Sequence, residues 1–104
     1  MLIRRVVGPS MEPTLLDGDI VFAKKIKANS LFMGDIVISH YKDRDLIKRI
    51  ADIKGDNVSL EGDNTEYSND SRNFGYIPIS SVKGRVFMIW PKAARWPRAV
   101  TRFE

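Results

Sequence analysis

The chain has 104 residues, 43% hydrophobic and 29% charged, with 17 basic against 13 acidic side chains and a net charge of +4. Those values suit one domain spanning 1–104 and exclude wholesale disorder. With no cysteine and one histidine, a disulfide scaffold, a thiol nucleophile and a cysteine or multi-histidine metal centre are excluded, so neither a metal nor a cofactor is expected.

In chain order the apolar residues have the spacing of strands. Residues 2–7 form a first strand, stopped by Gly8-Pro9. Ser10 to Gly18 reads as a loop with at most one helical turn, because Pro13 interrupts it and Asp17-Gly18 is a turn pair. Strands follow over 19–26 and 35–41, each opening on Gly-Asp-Ile-Val, which suggests similar corner turns without making a repeat. Two more cover 45–53 and 57–60, separated by Gly55-Asp56-Asn57; a polar loop runs from Gly62 to Gly75, and a last strand spans 82–90. Closely spaced strands with short turns predict a mainly β fold: a single compact, coiled antiparallel sheet or barrel. Residues 92–104 read as a basic tail, carrying Lys92, Arg95, Arg98 and Arg102 with Trp96, which suits a solvated segment or a peripheral contact with a membrane surface. No apolar run approaches the ~18 residues of a membrane-spanning helix. Only two apolar residues separate Arg4-Arg5 from Gly8-Pro9, so no secretory leader is read and a soluble chain is expected.

Three segments carry chemistry. Ser10 stands between Pro9 and Pro13 in Gly-Pro-Ser-Met-Glu-Pro-Thr. Prolines stiffen their neighbourhood, which suits either a plain turn or a nucleophile that must be aimed. Lys48 alternates with Leu46 and Ile50 on one strand face. If that face is interior, desolvation favours the neutral amine, a competent general base; if it is an edge, the lysine snorkels outward. The third segment is Gly62-Asp63-Asn64 followed by Ser68, Asp70, Arg72 and Gly75. It reads either as a self-bonded hairpin loop or as a brace for a site. His40, at a strand end without a surrounding motif, is a poor candidate for a Ser–His pair.

Taken in order, these boxes resemble the signal peptidase I family, serine–lysine peptidases that also resemble LexA-type self-cleaving repressors. The resemblance covers residues 6 to about 90 and implies a coiled β fold of that type. It implies that Ser10 is the nucleophile and Lys48 the general base, that Ser68 hydrogen-bonds the lysine, and that Asp70 and Arg72 form a structural ion pair. The oxyanion would rest on the Ser10 N–H and one further donor. Relatives with a hydroxyl residue two before the nucleophile differ here, where Gly8 stands. Val7 and Met11 are expected pocket walls for small substrate side chains. The short form most resembles the maturation proteases of nickel-type superoxide dismutase, which implies removal of a disordered N-terminal extension from a precursor protein in the cytoplasm. The alternatives are a signal peptidase acting on exported preproteins at a membrane and a non-catalytic LexA-like dimerisation module. No nucleic-acid partner is expected, because a charge of +4 is modest and no aromatics interleave basic residues on the strands.

Overall fold

A computed structural model describes residues 1–66 and 75–100. The strands are β1 (Leu2–Arg5), β2 (Ile20–Lys24), β3 (Ile36–Tyr41), β4 (Arg44–Lys54), β5 (Asn57–Glu61), β6 (Ile77–Pro78), β7 (Val82–Trp90) and β8 (Arg98–Ala99). Short 3-10 turns cover Ala28–Ser30 and Ile79–Ser81. No helix among the described residues is long and apolar enough to cross a membrane. The strands form one open antiparallel sheet in the order β1-β2-β7-β3-β4-β5-β6, with β8 on β7.

The middle strand explains how one sheet supports two cores. Residues Ile36, Val37, Ile38 and Ser39 are all buried, the mark of a strand covered on both faces. Ile36 and Ile38 join Val6, Met11, Leu15, Val21 and Ile89 in one cluster. Val37, on the opposite pleat, joins Ile50, Val58, Leu60 and Ile77 in the other. Register shifts at Phe22/Ala23, Ile38/Ser39 and Ile50/Asp52 break the ladders, and such bulges increase twist and coil a sheet.

The tight connections follow local chemistry. Lys42 and Asp43 both have positive φ (50° and 63°), so the β3–β4 hairpin turns on two left-handed residues, matching the twist of its strands. The two Gly-Asp-Ile-Val openings do form equivalent corners. Gly18 and Gly34 have φ of 92° and 93°, and each following aspartate accepts a backbone N–H three residues back: Leu16 to Asp19 and Phe32 to Asp35, both at 2.9 Å. Both carboxylates are buried. Asp19 does more, because its second oxygen accepts the Lys92 N–H at 2.9 Å and ties the loop after β1 to the chain leaving β7.

Of the segment 92–104 read as a basic tail, the residues up to Val100 are largely exposed yet attached to the sheet. β3 pairs with β7 only through Val82–Arg85, and β8 occupies the same edge further on, opposite Met88 and Ile89. Val100 donates its N–H to the Phe87 carbonyl at 3.0 Å and packs on the first cluster. Arg98 donates to the Thr14 carbonyl at 3.0 Å. The unfilled ladder edge of β7, which a linear reading of charge does not register, draws this segment in.

Asp19→Ala should cost about 2–4 kcal/mol, since it leaves the N–H groups of Leu16 and Lys92 without their charged acceptor. Urea unfolding measures this. A loss below about 0.5 kcal/mol for Asp19→Ala would contradict the corner account.

Candidate active site

The segment after β1 turns back on itself. The Val6 N–H donates to the Asp19 carbonyl (2.7 Å) and the Gly18 N–H to the Val6 carbonyl (2.8 Å), closing the neck of a loop that carries Ser10. Within it one helical turn forms, Leu15 N–H to Met11 carbonyl at 2.9 Å, and the Glu12–Pro13 peptide is cis. Gly8 takes φ of 83°, and its N–H is committed to Asp17 Oδ1 at 2.8 Å.

On β4 the alternation reads as expected. Leu46, Lys48 and Ile50 are 7%, 4% and 1% exposed, while Ile47 and Arg49 are half-buried and Ala51 is exposed. The lysine-bearing face is therefore interior, and Lys48 pairs across the ladder with Val37. Ser10 and Lys48 line one cavity of about 360 Å³, its walls formed by residues 5–11 on one side and 44–48 on the other. β5 pairs with β4 only from Arg49 onward, so residues 44–47 of β4 lie beyond its reach. Val7, largely exposed, and Met11, buried in the first cluster, both contribute to the wall.

Two neighbouring residues of the third segment hold the walls together. Asp63 receives Arg49 in a two-pronged pair, Nε to Oδ1 and Nη2 to Oδ2, both at 2.8 Å, and accepts the Thr14 hydroxyl on Oδ2. Arg49 also donates to the Gly34 carbonyl at 2.7 Å. Asn64 donates its backbone N–H to the Ser10 carbonyl (2.9 Å) and its side-chain amide to the Pro9 carbonyl (3.1 Å). The serine loop is thus fixed to the residue beside Lys48 through one carboxylate and one amide. Burial pushes the Asp63 carboxyl upward, but hydrogen bonds from Arg49 and Thr14 outweigh it and hold the group below its ordinary value. The same bond from Asp63 raises Arg49.

The sequence reading named Asp63 and Asn64 as part of a box without roles and gave Arg49 and Thr14 none. An arginine directly after the lysine, with an unassigned aspartate in the last box, was the available signal. Ser68, Asp70 and Arg72 lie outside the described residues. His40 sits on an exposed strand end, its Nδ1 2.9 Å from Asp45 Oδ1. Among the described residues no group of three or more histidine, aspartate or glutamate side chains is arranged to hold a metal ion.

A coiled antiparallel sheet that brings a proline-flanked serine and a buried strand lysine to one cavity has the form of a signal-peptidase-like serine peptidase. The family model for Peptidase S24-like proteins matches residues 1–86, and the chain belongs to that family. It is 36% identical to mitochondrial inner membrane protease subunit 1 of Mus musculus and of Homo sapiens, in each case over 81% of this chain and 66% of the relative. It is also 43% identical to signal peptidase I of Streptococcus pneumoniae, over 64% of this chain and 32% of that protein. The chain thus spans just under two thirds of the length of the mitochondrial relatives. These relatives correct the expectation of a cytoplasmic enzyme, since several of them carry the name of an inner membrane. That expectation rested on the resemblance to the nickel-type superoxide dismutase maturation proteases, whereas these relatives carry the names of inner membrane proteases and signal peptidase I.

The Arg49–Asp63 pair predicts an acid limb in stability. Because the Asp63 carboxyl lies below its ordinary value of 3.8 when folded, its contribution is present above that pH and is lost as pH falls through the lowered value. Asp63→Asn should cost about 1–2 kcal/mol near neutrality. Wild type and variant should converge in urea unfolding as pH falls through that lowered value. A difference that stayed constant from neutrality through the whole acid range would contradict the assignment.

Proposed function

We propose that this chain is a serine endopeptidase in which Ser10 and Lys48 form the catalytic pair, and that it removes N-terminal leader segments from precursor proteins at a membrane. The observation that carries the reading is the shared cavity, with a lysine only 4% exposed beside the loop that presents Ser10. The names of the relatives favour a membrane-linked precursor over the narrower expectation of a nickel superoxide dismutase precursor. A LexA-like dimerisation module has no comparable support.

In this mechanism the neutral Lys48 amine takes the Ser10 hydroxyl proton as Oγ attacks the scissile carbonyl. The tetrahedral oxyanion is met by the Ser10 N–H. Gly8 is not the second donor, because its N–H is held by Asp17. Collapse breaks the C–N bond, and the Lys48 ammonium returns its proton to the leaving amine. Water, deprotonated by the same amine, then hydrolyses the acyl–Ser10 ester. Burial favours this cycle because desolvation disfavours the ammonium. Ser68 would orient the lysine, and Asp70 with Arg72 would brace the last box. The precursor would lie extended along residues 44–47 of β4, alternate side chains facing the wall at Val7 and Met11, so that the residues one and three before the bond are small.

Ser10→Ala and Lys48→Ala should each lower cleavage of a precursor by about a thousandfold or more, the double variant being no worse than either single. His40→Ala should retain activity. The kcat/KM profile should rise from acid towards alkaline pH with an apparent pKa well below the free-lysine value of about 10.4. An inactive His40→Ala alongside an active Lys48→Ala, read by mass spectrometry of the products, would overturn the pair.

A further inference from the structure

The cavity beside Ser10 and Lys48 carries charge that peptide-bond cleavage does not require. Arg5, Arg44 and Asp45 also line it. Asp45 is already engaged: Arg4 Nε donates to its Oδ2 at 2.9 Å, and His40 Nδ1 lies 2.9 Å from its Oδ1. The His40 bond first, and then Arg4, hold that carboxyl below its usual range, so it is a neutralised carboxylate rather than a repelling one. Arg5 and Arg44 differ. Both are exposed, and among the described residues neither has a carboxylate partner. The described walls therefore hold two guanidinium groups without a carboxylate partner, Arg5 on the serine-loop side and Arg44 on the β4 side.

Strand geometry sets the distance. Arg44 and Lys48 stand four positions apart on β4 and share a face. That separation is about 13 Å, which an extended peptide also covers in about four residues. A guanidinium offers a planar fork matched to a carboxylate.

We propose that Arg5 and Arg44 form an anion-selective subsite of this cavity, which takes an aspartate or glutamate side chain of the precursor about four residues from the scissile bond. The proposal rests on the reading that the precursor occupies the cavity beside Ser10. It adds a charge requirement to the small-residue rule, at a position that rule leaves open.

The test uses the full chain and a panel of peptides sharing small residues one and three before the bond. Glu or Gln is placed singly at each position from about two to six residues away, on either side. The ratio of kcat/KM for Glu over Gln should peak at about three- to fivefold at one position near the fourth, the size of an exposed ion pair, and shrink at high salt. It should fall to about one in the Arg5→Gln/Arg44→Gln double variant, and Arg44→Glu should favour Lys at that position. A ratio within about twofold of one at every position, or a ratio that survives the double variant, overturns the proposal. Fluorescence anisotropy with the Ser10→Ala protein separates the two readings. Tighter, arginine-dependent binding of the Glu peptide without cleavage by the wild type would keep the subsite and sink the peptidase reading. Cleavage of every peptide with no charge preference would do the reverse.

Discussion

The Asp63 carboxylate is the tie on which the cavity depends. β1, which leads into the serine loop, and β4, which carries Lys48, are separated in the sheet by β2, β7 and β3. No ladder sets Ser10 relative to Lys48. Asp63 supplies that link by binding Thr14 in the loop and Arg49 beside the lysine, while Asn64 grips the carbonyls of Pro9 and Ser10. A partly buried ion pair is a poor way to gain stability, because desolvation offsets much of its attraction. It is a good way to hold two walls at one spacing, since a two-pronged arginine–carboxylate pair tolerates little misalignment. Placement of a nucleophile is where such rigidity matters, as small misalignments cost large factors in rate.

The same logic extends to the sheet. β3 is apolar on both pleats, so it separates two cores and leaves β4 free to face one of them with Leu46, Lys48 and Ile50. A lysine on that face enters a setting where no buried side-chain nitrogen or oxygen among the described residues lacks a hydrogen-bond partner. Burial and full satisfaction together distinguish this side chain from a lysine that merely snorkels to solvent.

Most of the architecture was legible from residue spacing. The six longer strands fall where period-two runs of Ile, Val and Leu predict them, and the Gly-Asp-Ile-Val openings correctly signalled matching corners. β6 and β8 were not legible, because two-residue strands carry no periodicity and exist only where a partner edge accepts them. The attachment of the tail was not legible for the same reason: nothing local signals that β7 offers an edge to Arg98 and Ala99, or that Thr14 offers Arg98 a carbonyl. At the site, alternation put Lys48 on one face with Leu46 and Ile50, the face the structure buries, while the catalytic roles of Ser10 and Lys48 rest on the family resemblance. The Arg49–Asp63–Thr14 link was not read, since only an arginine beside the lysine and an unassigned aspartate hinted at it. Ser68, Asp70 and Arg72 rest on resemblance alone.

The central claim is that a buried, neutral Lys48 serves Ser10. Its most direct test is an NMR titration of the lysine side-chain Cε and Hε signals in selectively labelled protein, with Lys48 assigned by Lys48→Met. The account predicts one lysine titrating more than about one unit below the free value of about 10.4, absent from the variant. Co-titration of Lys48 with the surface lysines near that free value would contradict it.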